Sequence, residues 1–549
     1  MKILLLVTAF NSQTQAVYTK LKDSKHEVSV CFNKSEKQTL LEIEDFGPEL
    51  ILCPFLKSYI SSKIYDAYPV YIFHPGPRGD RGAHSLEHAL QIHTKKWGLV
   101  ILRANSEYDG GNIYAQENFA VRKTYKASLY RKEIVRASLN ALDILFKNIE
   151  EDNFIRQELN PVHEYLTQDQ RKINWLTDST QMIIDKIHLC DSHPGILDEI
   201  LGIPCYLYGV HKEDKLRAKP KEVIAKRDGA ICLGTIDGAI WITHLKAVNG
   251  FKLPATYVLK EKLQGIKEER LPLVFEQSYN TFYEVSMEKK DNVAYLHFNF
   301  HNGAMGTAQC IRLKYAIEYL KTECNVLVLM GGEDFFSNGI HLNILEDSQK
   351  QGEDGWANIN AMNDVVKAIL YADEVVTVAA FNSNAGAGGV FMGIACDYVV
   401  AQDGVVLNPH YKTLGLSGSE YHTYTLPKRV GKTTAEKLLN DCLPISAAYA
   451  KSIGMIDEIF SHGDYLNLLH KFAVSKYEDE FLWDKEEYLE KNRAFIEDLK
   501  EKELAVMHPE FWRKESDFHH LRYDFVYKVC PAQTPSRLKL ETIKDKYHA

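Results

Sequence analysis

The chain has 549 residues, of which 45% are hydrophobic and 25% charged, and its formal net charge at pH 7 is −9. That length exceeds what a single hydrophobic core supports and implies roughly two to four domains. The acidic balance argues against nucleic acid as a partner while leaving room for a local basic groove around an anionic cofactor, and no apolar run reaches the roughly 18–20 residues that span a bilayer, so no membrane partner is expected.

The opening "MKILLLVTAFNSQ" reads as a first buried strand rather than a signal peptide, because its apolar run stops at Asn11-Ser12-Gln13 without a cleavage site. The cysteines at 31, 53, 190, 205, 232, 310, 324, 396, 442 and 530 form no CxxC pair, a pattern that suits reduced thiols in a cytoplasm. Histidines pair at His84/His88 and His519/His520 without an HExxH or comparable ligand set, so no metal site is expected.

Up to about residue 120 short apolar runs recur: "ILLLV", "HEVSVCF", "ELILCPF", "YPVYIFH" and "WGLVILR". Strands separated by helical or looped stretches predict βαβ units and a mostly parallel sheet. Ligands of such sheets sit beyond the carboxyl ends of the strands, where "TAFNSQTQ", "CPFLKS" and "HPGPRGDRG" follow. From about 160 the texture becomes β-rich, with a hairpin predicted over "CLGTIDGAIWITHLKA" on its Asp-Gly turn. "KEKLQGIKEERLP" (260–272) reads as an exposed connector. A third unit begins near 285 with buried strands "DNVAYLHFNF", "NVLVLMGG" and "VVTVAAFNSN", each followed by a glycine- or asparagine-bearing turn. Leu313, Ala316, Ile317 and Leu320 fall at helical spacing. The last 70 or so residues read as charged helix ending in "FWRKESDFHHLRYDFVYK". The expected division is 1–160, 161–275 and 280–549.

Two constellations carry chemistry. His74 follows a strand and enters a Pro-Gly-Pro-Arg-Gly loop; Asp109 follows another strand before paired glycines. Such a pair can act as a carboxylate–imidazole couple, the carboxylate holding the tautomer, or simply cap turns. These residues resemble the 10-formyl-tetrahydrofolate-dependent formyltransferases over roughly residues 1–150: His74-Pro75, Arg81-Gly82 and Asp109-Gly110-Gly111 match that family's core. The resemblance implies His74 and Asp109 as catalytic residues and Gln15, Phe55, Leu56 and Arg81 as contacts for 10-formyl-tetrahydrofolate. Residues 173–247 resemble the small β-rich domain of the longer members. One departure stands out: the family's asparagine, which polarises the formyl oxygen, is Ile72 here, and losing one oxyanion donor costs about 10²–10³ in rate. Gln15, a backbone N–H, or a thiolate acceptor would have to compensate.

The second constellation is "FFSNGIHLN" (335–343) with "NAGAGGVFM" after "VVTVAAF". With "IACDYVV", "LGLSGS" and "LPKRVG" it resembles the crotonase (enoyl-CoA hydratase/isomerase) superfamily over 287–462. The resemblance implies a coenzyme A site at Gly303, Ala304 and Met305. It also implies an oxyanion hole from the N–H groups of Asn338 and Gly388, flanked by Ser337, Ile340 and Gly389. The hydratase glutamates fall at Phe391 and Tyr411, which excludes their water-activating chemistry, and leaves either a domain that only holds coenzyme A or a different reaction. Tyr411 and Glu420 are the candidates for proton transfer, a buried carboxylate beside a phenol.

Together the two halves resemble the HypX (HoxX) family of hydrogenase-maturation proteins over nearly the whole chain. The implied fold is multidomain α/β: a Rossmann-like formyltransferase domain, a small OB-like β-rich domain and a crotonase ββα superhelix with a helical extension. The implied function is transfer of the formyl group to coenzyme A and decarbonylation of formyl-CoA to CO for a [NiFe]-hydrogenase iron centre. If coenzyme A stays anchored in the third domain and swings its thioester between the two sites, both should open onto one cavity. Two alternatives stay open: a formyl-CoA hydrolase that makes formate, and a non-catalytic coenzyme A-binding scaffold that docks on hydrogenase-assembly proteins. The tail "CPAQTP" offers no physical role from sequence.

Overall fold

The computed structural model describes residues 1–158 and 160–540. By internal contacts the chain forms two units. Among the described residues the first holds Met1–Ile200, Pro204–Val210 and 531–540; the second holds Leu201–Ile203 and His211–Cys530. The β-rich segment after Val210 belongs with the third expected domain because side chains tie them. Arg227 donates to the Phe282 carbonyl at 2.8 Å, Arg312 meets Asp228 at 3.4 Å, and Asn343 donates to the Lys252 carbonyl at 2.8 Å.

In the first unit β1 (Lys2–Val7), β2 (Glu27–Phe32), β3 (Leu50–Cys53), β4 (Val70–His74), β5 (Lys96–Arg103) and β6 (Ile113–Ala120) form a sheet ordered β2-β1-β3-β4-β5-β6. Each apolar run read from the sequence is one of the first five strands; β6, "IYAQENFA", is more polar and escapes that reading. The four strands from β2 to β4 pair in parallel, and their continuous apolar sequence reflects burial on both faces. β5 and β6 run antiparallel. Asp109 therefore reaches His74 by a connection folded back between two antiparallel strands, not by standing at the end of a parallel neighbour. Gly111 permits the fold-back, since a Cβ there would lie 1.7 Å from the Arg103 carbonyl oxygen.

The tail now acquires a role. The Phe32 N–H donates to Thr534 Oγ1 at 2.9 Å, Thr534 donates to Glu42 at 3.0 Å, and Leu540 packs on the cluster of Leu4, Leu6 and Ile43. It covers β2, the edge strand, whose unpaired backbone would otherwise be exposed.

The second unit carries a sheet of strands Val285–Lys290, Val293–Phe298, Val326–Gly331, Val376–Phe381, Tyr398–Gln402 and Glu458–Phe460, in that order. A smaller sheet orders Phe335–Ser337, Asn384–Gly386, Val406–Asn408 and Ile445–Ser446. Successive strand–turn–strand steps feed both sheets, the ββα superhelix expected from the repeated pattern. Helix Thr307–Leu320 buries Leu313, Ala316, Ile317 and Leu320 against this core, as their spacing predicts. The predicted hairpin is Ala230–Gly234 with Ala239–Ala247, and the "connector" includes a short strand, Lys267–Glu268, beside Val223–Arg227. The long helix Asp479–Trp512 and helix Asp517–Tyr527 form the extension.

Candidate active sites

His74 ends β4 and is 3% exposed. Its Nε2 lies 2.7 Å from Asp80 Oδ2, and its Nδ1 3.4 Å from Asp109 Oδ2. The sequence reading gave Asp109 the task of holding the tautomer, yet the shorter contact is to Asp80, six residues along the same loop. Asp80 Oδ2 also accepts from the Ser85 hydroxyl at 2.6 Å, and its Oδ1 faces His163 Nε2 at 2.7 Å. Burial pulls the Asp80 carboxyl upward, but the hydrogen bonds of His74, Ser85 and His163 outweigh it and hold the group below its ordinary value. Asp109 Oδ2 accepts from the Gly82 N–H at 3.1 Å, so its side is the looser one.

The loops after β1 and β3 lie against each other at the carboxyl edge of the same strands: the Thr8 N–H donates to the Phe55 carbonyl at 2.8 Å, and the Lys57 N–H to Thr8 Oγ1 at 2.9 Å. This brings Phe55, Leu56 and the start of helix Ser12–Asp23, with Gln15, to the edge that carries His74. Gln15 Nε2 donates to the Phe10 carbonyl at 2.9 Å. Arg81 does not fit its expected cofactor contact. It is 7% exposed and directs its guanidinium to the carbonyls of Tyr108 at 2.8 Å and Asn160 at 3.0 Å, where it braces the Asp109 loop. Ile72 packs against Val100, Leu102 and Ile113 and supplies no donor. Close to this centre Glu87 is fully buried among His84, Lys126 and Arg171; burial alone would raise it, but those partners hold it at about 2.

In the second unit Tyr411 and Glu420 meet. The Tyr411 hydroxyl donates to Glu420 Oε2 at 2.6 Å, and the Glu420 N–H donates to Asn363 Oδ1 at 3.1 Å. Burial pushes the Glu420 carboxyl up to about 6, against the pull of the Tyr411 hydrogen bond. Burial, with the Glu420 charge beside it, raises the Tyr411 phenol well above its usual range. Phe391, in the other hydratase glutamate position, stacks on the Tyr411 ring at 4.9 Å.

Glu420 stands against the glycine loop. A Cβ on Gly388 would lie 2.9 Å from Glu420 Cδ and 2.6 Å from Met362 Cε, so a side chain there has no room. Gly388 opens helix Gly388–Ile394, where an N–H has no partner within the helix. The expected second donor is corrected. The Asn338 N–H donates to the Gly303 carbonyl at 2.7 Å and is spent on the pairing of Ala304–Met305 with Gly339–Ile340. Ser337 turns inward, donating to the Gly303 carbonyl at 3.2 Å, and Gly389 packs so closely on it that a Cβ would lie 2.1 Å from the Ser337 carbonyl oxygen.

Glu420 and Tyr421 both adopt left-handed backbone, φ 61° and 57°, a strained arrangement for residues other than glycine. The long helix holds that loop in place with three carboxylates. Glu510 accepts from the Ser417 N–H at 3.0 Å, Glu503 from the Thr423 N–H at 2.7 Å, and Glu497 from the Tyr421 hydroxyl at 3.1 Å. Burial pulls the His422 imidazole down, but the Glu503 carboxylate 3.3 Å away prevails and the net direction is up. Sequence reasoning missed Asp80, His163, Asn363 and Glu503. Asp80 was legible as an acid in the histidine's own loop; the others lie far along the chain and carry no motif.

Among the described residues no cluster of His, Cys, Asp or Glu could hold a metal ion, and no helix is long and apolar enough to cross a membrane. Residues 288–476 match the enoyl-CoA hydratase/isomerase family, and residues 165–262 the formyl transferase C-terminal domain. Hydrogenase maturation factor HoxX of Bradyrhizobium diazoefficiens is 33% identical over 97% of this chain and 96% of its own. The 4-chlorobenzoyl coenzyme A dehalogenase-1 of an Arthrobacter species is 27% identical over 36% of this chain and 73% of its own. The crystal structure of HypX from Aquifex aeolicus in complex with tetrahydrofolic acid superposes with a TM-score of 0.94 at 38% identity, covering 98% of both chains. Fold, paired domains and full-length similarity agree: the chain belongs to the HypX (HoxX) family of hydrogenase maturation factors, with formyltransferase and enoyl-CoA hydratase/isomerase domains.

Proposed function

We propose that this protein transfers the formyl group of 10-formyl-tetrahydrofolate to the thiol of coenzyme A and then splits formyl-CoA into CO and free coenzyme A, supplying CO for hydrogenase assembly. In the first step the formyl carbon leaves N10 of the folate and bonds to sulfur. The thiol proton is taken up beside His74 and Asp109 and returned to N10. The tetrahydrofolate bound by the Aquifex relative supports this reading of the first centre.

Formyl-CoA has no α-carbon, so enolate chemistry has nothing to act on. Losing the formyl proton and the thiolate together gives CO. Glu420, held near neutrality by burial, is the base that takes the formyl proton; Tyr411, held firmly protonated, is the acid beside the departing sulfur. The Gly388 N–H steadies the formyl oxygen. The observation that carries the reading is the Tyr411–Glu420 pair lodged against Gly388, with Phe391 stacked where a hydratase keeps its second carboxylate.

The purified protein given 10-formyl-tetrahydrofolate with and without coenzyme A tests the first half. A coenzyme A-dependent release of tetrahydrofolate, with formyl-CoA trapped in Glu420→Gln, is the expected result. Folate turnover that ignores coenzyme A and yields only formate would overturn it.

A further inference from the structure

The contacts around His74 assign a job to a residue that the formyltransferase pattern does not contain. Both ring nitrogens face carboxylates, but unequally: 2.7 Å to Asp80 at Nε2 and 3.4 Å to Asp109 at Nδ1. Asp80 is 7% exposed and encircled by groups able to donate: Ser85 Oγ at 2.6 Å on one oxygen, His163 Nε2 at 2.7 Å on the other. An ionised carboxylate only accepts hydrogen bonds, so Nε2, in hydrogen-bond contact with Asp80 at 2.7 Å, carries a hydrogen, whereas Nδ1 makes no hydrogen bond to Asp109 at 3.4 Å. A neutral His74 with hydrogen on Nε2 has its lone pair on Nδ1, on the side of Asp109.

The chain is shaped around this contact. A Cβ on Gly76 would lie 2.1 Å from Asp80 Oδ2 and 2.7 Å from His74 Nε2, so only glycine lets the Pro-Gly-Pro loop close over the pair. On the far side His163 stacks on His88 at 4.1 Å and is partly open to solvent. It holds the second carboxylate oxygen and keeps Asp80 from turning away.

We propose that Asp80 is the positioning residue of the first centre: it fixes His74 as the Nε2–H tautomer so that Nδ1 receives the coenzyme A thiol proton, and His163 anchors Asp80 from its other oxygen. This inference rests on the formyl-transfer reading of that centre. Asp109 is then free to face the folate, and the net step still moves one proton from sulfur to N10.

The test combines rates with a direct view of the tautomer. In Asp80→Asn the formyl-transfer rate should fall by about 10²–10⁴, as when a triad aspartate is neutralised. Tetrahydrofolate affinity and CO release from supplied formyl-CoA should stay unchanged, which also shows that the variant folds. His163→Gln should lower the transfer rate by a smaller factor in the same direction. Independently of any variant, nitrogen-15 histidine spectra of the wild-type protein should show His74 protonated at Nε2. Transfer at the wild-type rate in Asp80→Asn, or a wild-type His74 carrying its hydrogen on Nδ1 alone, overturns the proposal. His74→Ala separates the two levels: transfer that survives it removes the formyl-transfer reading itself. Transfer lost in His74→Ala but intact in Asp80→Asn removes only the role given to Asp80.

Discussion

Asp80 and Glu420 are both almost fully buried, at 7% and 1% exposure, yet they end in opposite electrostatic states. Three partners, His74, Ser85 and His163, converge on Asp80 and hold it below its ordinary value. At Glu420 burial and the nearby Glu503 charge outweigh the downward pull of the Tyr411 hydroxyl, Ser419 and the His422 imidazole, and the group rises to about 6. Burial alone does not set a carboxyl's role; its balance against the donors and charges around it does. A well-partnered carboxylate is a fixed anion suited to orienting an imidazole. An under-partnered one is a group that exchanges a proton near neutral pH, suited to being a base.

The contrast is most sharply broken by crossed inactivation. His74→Ala should abolish folate-dependent CO release, a loss of about 10²–10⁴, while leaving CO release from supplied formyl-CoA intact. Glu420→Gln should abolish CO release from both substrates while leaving the folate-dependent formation of formyl-CoA intact; paired rate measurements on the two substrates check both. A Gly388→Ala variant should slow the second reaction by about 10²-fold, because the added methyl displaces Glu420 and Met362. Transfer to coenzyme A should survive it.

A smaller effect is expected from the brace on the Glu420 loop. Glu503→Ala orphans the Thr423 N–H and hydroxyl and should cost about 1–3 kcal/mol in denaturant unfolding. CO release from formyl-CoA should fall in that variant while folate turnover to formyl-CoA does not.

The pH dependence sharpens the same comparison. If Glu420 acts as carboxylate, CO release from formyl-CoA should rise as pH increases through about 6 and then level off. Its folded value lies above the reference 4.5, so its contribution to stability is fully present below about 4.5 and lost as pH rises through about 6. Glu420→Gln should therefore gain up to ~2 kcal/mol on the wild type at pH 8 and nothing at pH 4. Smallest of all, Thr534→Ala should cost about 1 kcal/mol in the first unit by uncovering β2, with neither reaction changed.

The first five strands of the first unit and the central strands of the second were legible because buried strands write themselves as unbroken apolar runs; β6 and the short strands of the second unit, such as Val406–Asn408 and Glu458–Phe460, were missed because they are brief or mix with polar residues. The Tyr411–Glu420 pair was legible through the crotonase pattern, which marks the position even where the residue type has changed. Asn338 was misread for a physical reason: sequence gives the position of a backbone N–H but not whether a neighbouring strand has already used it. Glu497, Glu503 and Glu510 lie on a helix that reads only as charged, and His163 sits in a loop without periodicity. Their roles come from distances between segments, which no local pattern encodes.

Conversion of formyl-CoA to CO at the second centre is the step on which the proposed function turns. Carbon-13 formyl-tetrahydrofolate and coenzyme A, sealed in a vial with the purified protein, test it most directly when labelled CO and labelled formate are quantified together. Labelled CO in proportion to folate consumed is expected, vanishing in Glu420→Gln while formyl-CoA accumulates. Labelled formate as the sole product, unchanged in Glu420→Gln, would contradict it.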